Sequence, residues 1–227
     1  MNAPTANDIA RMIDHTNLKA DATREDLERL CREAKEYGFA SVCVNSGYAG
    51  FASDLLEGTD VAVCVTVGFP LGASSIISKV QETMDACIHG ATEVDYVVNV
   101  TEVKAGNWDY VRDEMAEIVN IAREHDAIVK VIFENCYLTD EQKTKLCEIA
   151  AEVKPAFVKT STGFSTGGAT ADDVRLMRAN VPEYVKVKAA GGIRTADDLL
   201  LFLECGADRF GCSAGIPIME ELRARGM

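Results

Sequence analysis

Two lysines stand where apolar, strand-like runs give way to small residues. Lys159 lies in Phe157-Val158-Lys159-Thr160-Ser161-Thr162-Gly163, and Lys188 in Val187-Lys188-Ala189-Ala190-Gly191-Gly192. A lysine buried at a strand end costs desolvation energy, so it needs a compensating reason to be there. The hydroxyl and glycine residues that follow free backbone N–H groups, which are the material of an anion cradle. A reactive amine beside such a cradle suits a Schiff-base enzyme acting on a phosphorylated carbonyl compound.

The case for a pair is quantitative. A free lysine has a pKa near 10.4, so at pH 7 only about 0.04% is the nucleophilic amine. A second ammonium about 4 Å away costs on the order of 4 kcal/mol at an effective dielectric near 20. That depresses the pKa by about three units and raises the reactive fraction to tens of per cent. One lysine is then the nucleophile and the other the activating charge; spacing does not say which is which. Taken singly, each also reads as a strand-end lysine that snorkels to water.

Other residues fall at equivalent strand ends. Asp95 ends Thr92-Glu93-Val94-Asp95 and reads either as a structural partner of a lysine or as a proton shuttle. Both roles are compatible. Asp14 and Thr16, in Ile13-Asp14-His15-Thr16, either bind substrate hydroxyls or cap the following turn. Alternation groups Phe157 with Lys159, Asp95 with Val97 and Asn99, and Lys186 with Lys188. Lys188 is preferred over Lys186 because it is nearer the two glycines. Lys130, in mid-strand, is expected one layer below, and Cys43 reads first as core packing.

The elements that must hold these residues recur along the chain. Strand candidates are Met12–Thr16, Ala40–Asn45, Val61–Val67, Glu93–Val98, Ile128–Phe133, Ala156–Thr160, Val185–Lys188 and Arg209–Gly211. Capping boxes (Thr23 with Asp26, Thr139 with Gln142, Thr170 with Asp173, Thr195 with Asp198) mark helix starts between them. Gly38, Gly90 and Gly206 mark helix ends. Eight strand-then-helix units in 227 residues predict a single α/β domain over residues 1–227, a (β/α)8 TIM barrel. No G-x-G-x-x-G follows the first strand, which weakens a dinucleotide-binding reading. In a barrel the active site lies at the C-terminal strand ends, and phosphate sites follow strands seven and eight. Gly191-Gly192 and the run Gly211 to Gly215 fall there.

Composition excludes several function classes. The net charge of −13 argues against nucleic acid and anionic membranes as partners. An anionic substrate must then be held by local dipoles. The eight cysteines lack C-x-x-C spacing and read as small buried hydrophobes of a reducing compartment. Only three histidines are present, of which His89 and His125 fall near helix ends and His15 on a strand. No cluster has metal-ligand spacing, so neither metal nor cofactor is expected. No signal-peptide pattern and no long apolar run is found, so a cytoplasmic location is expected.

At this point the chain resembles the 2-deoxyribose-5-phosphate aldolase family of Schiff-base aldolases. The resemblance runs nearly end to end, through Ile13-Asp14-His15-Thr16, Ser41-Val42-Cys43-Val44-Asn45, Gly68-Phe69-Pro70-Leu71-Gly72, Glu93-Val94-Asp95, Lys130-Val131-Ile132, the Lys159 segment and Ala190-Gly191-Gly192-Ile193-Arg194-Thr195. It implies that Lys159 forms the imine, Lys188 perturbs it, and Asp95 takes part in proton transfer. It also implies phosphate binding by Thr162, Gly163, Gly191, Gly192, Gly211 and Ser213. Two departures stand out. Some members carry a lysine where this chain has Phe164, so backbone N–H groups, a helix N-terminus and Arg194 are expected to hold the phosphate here. Some members end in a tail with a tyrosine; the sequence here ends at Arg225-Gly226-Met227, so no tail-assisted proton transfer is expected. Rival readings are a Schiff-base aldolase for another phosphorylated sugar and a non-catalytic phosphometabolite-binding barrel. A homodimer is compatible with exposed barrel helices.

Overall fold

Short β-branched runs alternate with capped helices along the chain. In the computed structural model, which describes residues 4–227, each run forms a strand. The strands are β1 (Ile13–Thr16), β2 (Ser41–Asn45), β3 (Ala62–Val67), β4 (Glu93–Val97), β5 (Ile128–Ile132), β6 (Phe157–Lys159), β7 (Lys186–Ala190) and β8 (Arg209–Cys212). They close in sequence order into a parallel barrel, β8 pairing with β1 through Asp14 opposite Gly211. The helices are α1 (Ala6–Ala10), α2 (Arg24–Tyr37), α3 (Ala49–Leu56), α4 (Ile76–Ile88), α5 (Val100–Ala105), α6 (Trp108–Glu124), α7 (Asp140–Val153), α8 (Ala171–Asn180), α9 (Ala196–Glu204) and α10 (Gly215–Ala224). This is the (β/α)8 barrel that the pattern predicts. Two short helices, α1 before the first strand and α5 after the fourth, are additions to it. Strand ends match to within about a residue, except that β7 continues to Ala190.

Local chemistry accounts for the helix boundaries. Thr23, Thr139 and Thr195 form reciprocal capping boxes with Asp26, Gln142 and Asp198. Thr170 does so only by half. Its hydroxyl accepts from the Asp173 N–H, but the Asp173 carboxylate is drawn away to Lys143 at 2.6 Å. An ion pair with a neighbouring helix outcompetes the reciprocal cap there. Gly38 ends α2 in the left-handed region at φ 68°, where a side chain would be strained. Replacing Thr139 by Ala removes the acceptor for the Gln142 N–H, and about 1 kcal/mol of stability should be lost in urea unfolding.

The two faces of the sheet differ sharply. Outward residues such as Val44, Val65, Val94, Val131, Val158 and Val187 join the main apolar core beneath the helices. The inward face is polar: Asp14, Ser41, Glu93, Asp95, Lys130, Lys159 and Lys188 are all buried inside the barrel. At its lower end the Phe157 ring lies under the Arg209 guanidinium and the Lys186 ammonium, at 5.2 and 5.8 Å. Packed apolar layers usually fill such a barrel. Charge fills this one, and burial of charge demands mutual pairing. Among the described residues no helix is long and apolar enough to cross a membrane.

Candidate active site

Parallel pairing sets the heights of the inward side chains. Lys159 lies level with Lys188 on β7 and with Ile132 on β5, while Lys130 lies level with Phe157, two residues lower. Asp95 is level with Lys130 and with Thr66. The lysine ammoniums therefore converge on the Asp95 carboxylate from three strands. Its Oδ2 accepts from Lys159 at 2.7 Å and from Lys188 at 2.6 Å, and its Oδ1 accepts from Lys130 at 2.7 Å and from the Cys64 thiol at 3.1 Å.

Below and beside this centre the network continues. Lys188 also donates to Asp14, whose other oxygen accepts from Arg209 at 2.6 Å and Ser41 at 2.7 Å. Lys130 pairs with Glu93 at 2.7 Å, and Arg209 reaches Glu93 at 3.3 Å. Four cations (Lys130, Lys159, Lys188, Arg209) thus face three carboxylates (Asp14, Glu93, Asp95). The partners are unevenly shared. Lys188 touches two carboxylates and Lys130 three, but Lys159 touches only Asp95.

Electrostatics follow from the geometry. Burial alone would push the Lys188 ammonium down, but Asp14 and Asp95 more than offset it and hold it above the ordinary lysine range. Burial would likewise raise Asp95, yet Lys130, Lys159 and Lys188 hold it well below the usual carboxylate range. Asp14, which burial would also raise, is held low by Lys130, Lys188 and Arg209. Lys188 is therefore a fixed cation.

Above the cluster an open cavity of about 630 Å³ occupies the C-terminal ends of the strands. Thr16, Thr162, Gly163, Gly191, Gly192, Gly211 and Ser213 line it, as do Arg194 and Lys19. Lys188 lies directly beneath the floor, since a Cβ on Gly211 would come within 3.7 Å of its Nζ. Lys159 is 3% exposed.

Two of the expected ligand contacts take a different form. Asp14 is fully buried, and its oxygens are taken by Lys188, Arg209 and Ser41, so it supports the cluster from below instead of facing a substrate hydroxyl. Thr162 lines the cavity, but its N–H and hydroxyl both donate to Glu134, at 3.2 and 2.5 Å. It braces the loop and has no donor left for an anion. By contrast, the backbone N–H groups of Gly163, Gly192 and Ser213 have no hydrogen-bond partner among the described residues.

Glu134 and Gly168 complete the architecture and carry weaker sequence signals. Glu134 follows β5 in the left-handed region at φ 58°, and its carboxylate also accepts from Ser165 at 2.9 Å. It straps the loop after β6 to the end of β5. The signal was an acid at the end of an apolar run, the same one that marks Asp95. Gly168 packs backbone against backbone: a Cβ there would stand 2.3 Å from the Gly191 carbonyl oxygen. A second buried pair, Lys79 with Glu114 at 2.6 Å, seizes the end of β4 by donating to the Val97 carbonyl and accepting from the Asn99 N–H. It fixes the strand that carries Asp95.

Comparison with known proteins bears on the family and the fold. A family profile described as DeoC/LacD family aldolase matches residues 9–216. The deoxyribose-phosphate aldolase of Lactobacillus acidophilus is 53% identical over 221 residues, 97% of this chain and 93% of the relative. That of Thermoanaerobacter pseudethanolicus is 55% identical over 214 residues, 94% of this chain and 96% of the relative. Among solved structures, a putative deoxyribose-phosphate aldolase from Coccidioides immitis superposes with a TM-score of 0.94 at 39% identity, covering 98% of this chain and 88% of that one. The deoxyribose phosphate aldolase of Aeropyrum pernix, described as a tetramer, gives 0.91 at 33% identity, covering 97% and 93%.

Proposed function

The chain belongs to the DeoC/LacD family of aldolases, and on that premise we propose that it reversibly cleaves 2-deoxyribose 5-phosphate into glyceraldehyde 3-phosphate and acetaldehyde through an imine on Lys159. The observation that carries this reading is the uneven sharing of carboxylates in the buried cluster. With all four cations charged the cluster has one positive charge too many; with Lys159 as the free amine it is neutral. Lys159 is also the cation with the fewest carboxylate partners, and it stands at the C-terminal end of β6, level with Lys188. Lys159 is thus the nucleophile of this reading, beside a cation that Asp14 and Asp95 hold in place at Lys188.

The steps follow. The Lys159 amine attacks C1 of the open-chain sugar, and loss of water leaves an iminium. A base drawn from Asp95 and a water takes the C3 hydroxyl proton. The C2–C3 bond breaks, its electron pair moves into the iminium, and glyceraldehyde 3-phosphate leaves. The remaining enamine takes a proton at C2, and water releases acetaldehyde and the free amine. Lys188 keeps its charge throughout.

The phosphate sits against the free N–H groups of Gly163, Gly192 and Ser213, with Arg194 as the nearby cation. The N-terminus of α10 points the same way. Gly168→Ala should displace the Gly191 backbone, which forms one wall of that cradle. A shift of this kind can cost about 10²-fold in kcat/KM. Steady-state kinetics should show the loss mainly in KM for the phosphorylated substrate.

Borohydride reduction in the presence of deoxyribose 5-phosphate, followed by peptide mapping, tests the reading directly. A stable adduct on Lys159 supports it. An adduct on Lys188 would reverse the two lysine roles. Binding without any adduct would point to a phosphometabolite-binding barrel instead.

A further inference from the structure

Phe69 and Phe164 meet edge to face, with ring centroids 5.2 Å apart and planes at 82°. Phe69 lies in the loop after β3, and Phe164 in the loop after β6. Those strands are separated by β4 and β5 on one side of the barrel and by four strands on the other. Phe164 lines the cavity at the mouth, so the contact ties the loop after β3 to the cavity wall across two intervening strands.

Both ends of this arch are anchored. The Phe69 loop is tied down by the Gly68 N–H donating to Glu82 at 2.9 Å. The same loop lies against the backbone after β4, where a Cβ on Gly72 would stand 2.1 Å from the Val98 carbonyl oxygen. Phe164 donates its N–H to the Thr162 hydroxyl at 3.0 Å, and Thr162 is itself strapped to Glu134. Beneath the arch, Phe69 packs with Leu18, Cys43 and Cys64, a small apolar cluster set apart from the main core. The Cys64 thiol donates to Asp95, and Cys43 is close enough to Asp95, Lys188 and Lys159 to feel their charges. One side of the reactive amine is thus polar and the other is an apolar wall. Phe164, 55% exposed, contributes little to the core, so its place over the mouth needs another explanation.

We propose that Phe164, held against Phe69, is a specificity-determining residue that limits the size of the aldehyde donor carried on Lys159. The inference rests on the Schiff-base reading above. Carbon atoms of a donor bound to Lys159 project from its Nζ, beside Asp95. Leu18, Cys43 and Phe69 wall that space, and Phe164 roofs it. A donor with a bare methyl group fits against such a wall. A longer chain meets the ring of Phe164, which the contact with Phe69 keeps from swinging away.

The test compares acetaldehyde with propanal as donor toward glyceraldehyde 3-phosphate, alongside borohydride trapping of each donor on the protein. In Phe164→Ala the propanal-to-acetaldehyde ratio of kcat/KM should rise about tenfold, the scale of one methylene in an apolar pocket. Phe164→Leu, which keeps an apolar side chain but loses the aromatic contact, should rise less. Trapping of acetaldehyde should persist in both variants. If both trap acetaldehyde and the ratio stays at the unsubstituted value, the arch does not set donor size and the proposal is overturned. If the unsubstituted protein traps no donor, the Schiff-base reading fails and takes the arch with it.

Discussion

Lys159→Ala should abolish turnover while leaving the barrel folded. The loss should be on the order of 10⁴-fold or more, since removing a covalent nucleophile takes away the pathway and not merely one stabilising contact. The folded state should survive because of the charge count. With Lys159 gone, Lys130, Lys188 and Arg209 face Asp14, Glu93 and Asp95, and no charge is stranded. Asp95 keeps Lys188 at 2.6 Å and Lys130 at 2.7 Å. Breaking a buried pair is expensive when it leaves an unpaired ion, and here it does not. Circular dichroism and thermal unfolding should resemble those of the parent, and the borohydride adduct should vanish. Residual activity above about 1% of the parent would sink the assignment of Lys159 as nucleophile.

The barrel was legible because its outward face is apolar at every other residue and its helices carry their own caps. Val42, Val44, Val63 and Val65 announce two adjacent strands without any tertiary information. The buried charged cluster was legible for a related reason: a lysine or acid breaking a β-branched run stands out, as Lys159, Lys188 and Asp95 do. Partner choice was not. Asp14 stands at a strand end like Asp95, yet closure of the sheet sets β1 beside β8 and places Arg209 and Lys188 on its oxygens. Only the register decides that, and register is a property of the closed sheet. The partner of Thr162 was hidden in the same way. Its donors are consumed by Glu134, 28 residues earlier in the chain, on a backbone turn that nothing local marks. Gly168 lies in a Gly-Gly pair that reads as an ordinary loop, and its close approach to Gly191 depends on how two loops meet.

Lys188→Leu should separate the activating charge from the nucleophile. The parent network holds Lys188 charged, because Asp14 and Asp95 outweigh the burial that would discharge it. Without Lys188, three cations remain against three carboxylates, and the cluster is neutral only if Lys159 carries its proton. Two effects then act in the same direction. The repulsion from a neighbouring ammonium disappears, and Asp95 loses one of the cations that shared its charge. Both favour the protonated, unreactive form of Lys159. The Coulomb term for charges about 4 Å apart at an effective dielectric near 20 is on the order of 4 kcal/mol, or about three pH units. The acid limb of the kcat/KM profile should therefore move to higher pH. Activity at pH 7 should fall about 10²- to 10³-fold and recover as the pH is raised. Recovery with pH distinguishes this from structural damage, which would depress the profile at every pH without moving its limb. A variant that is uniformly slow, with the parental limb in place, would show that Lys188 acts by holding Asp14 and Asp95 in position and not through its charge.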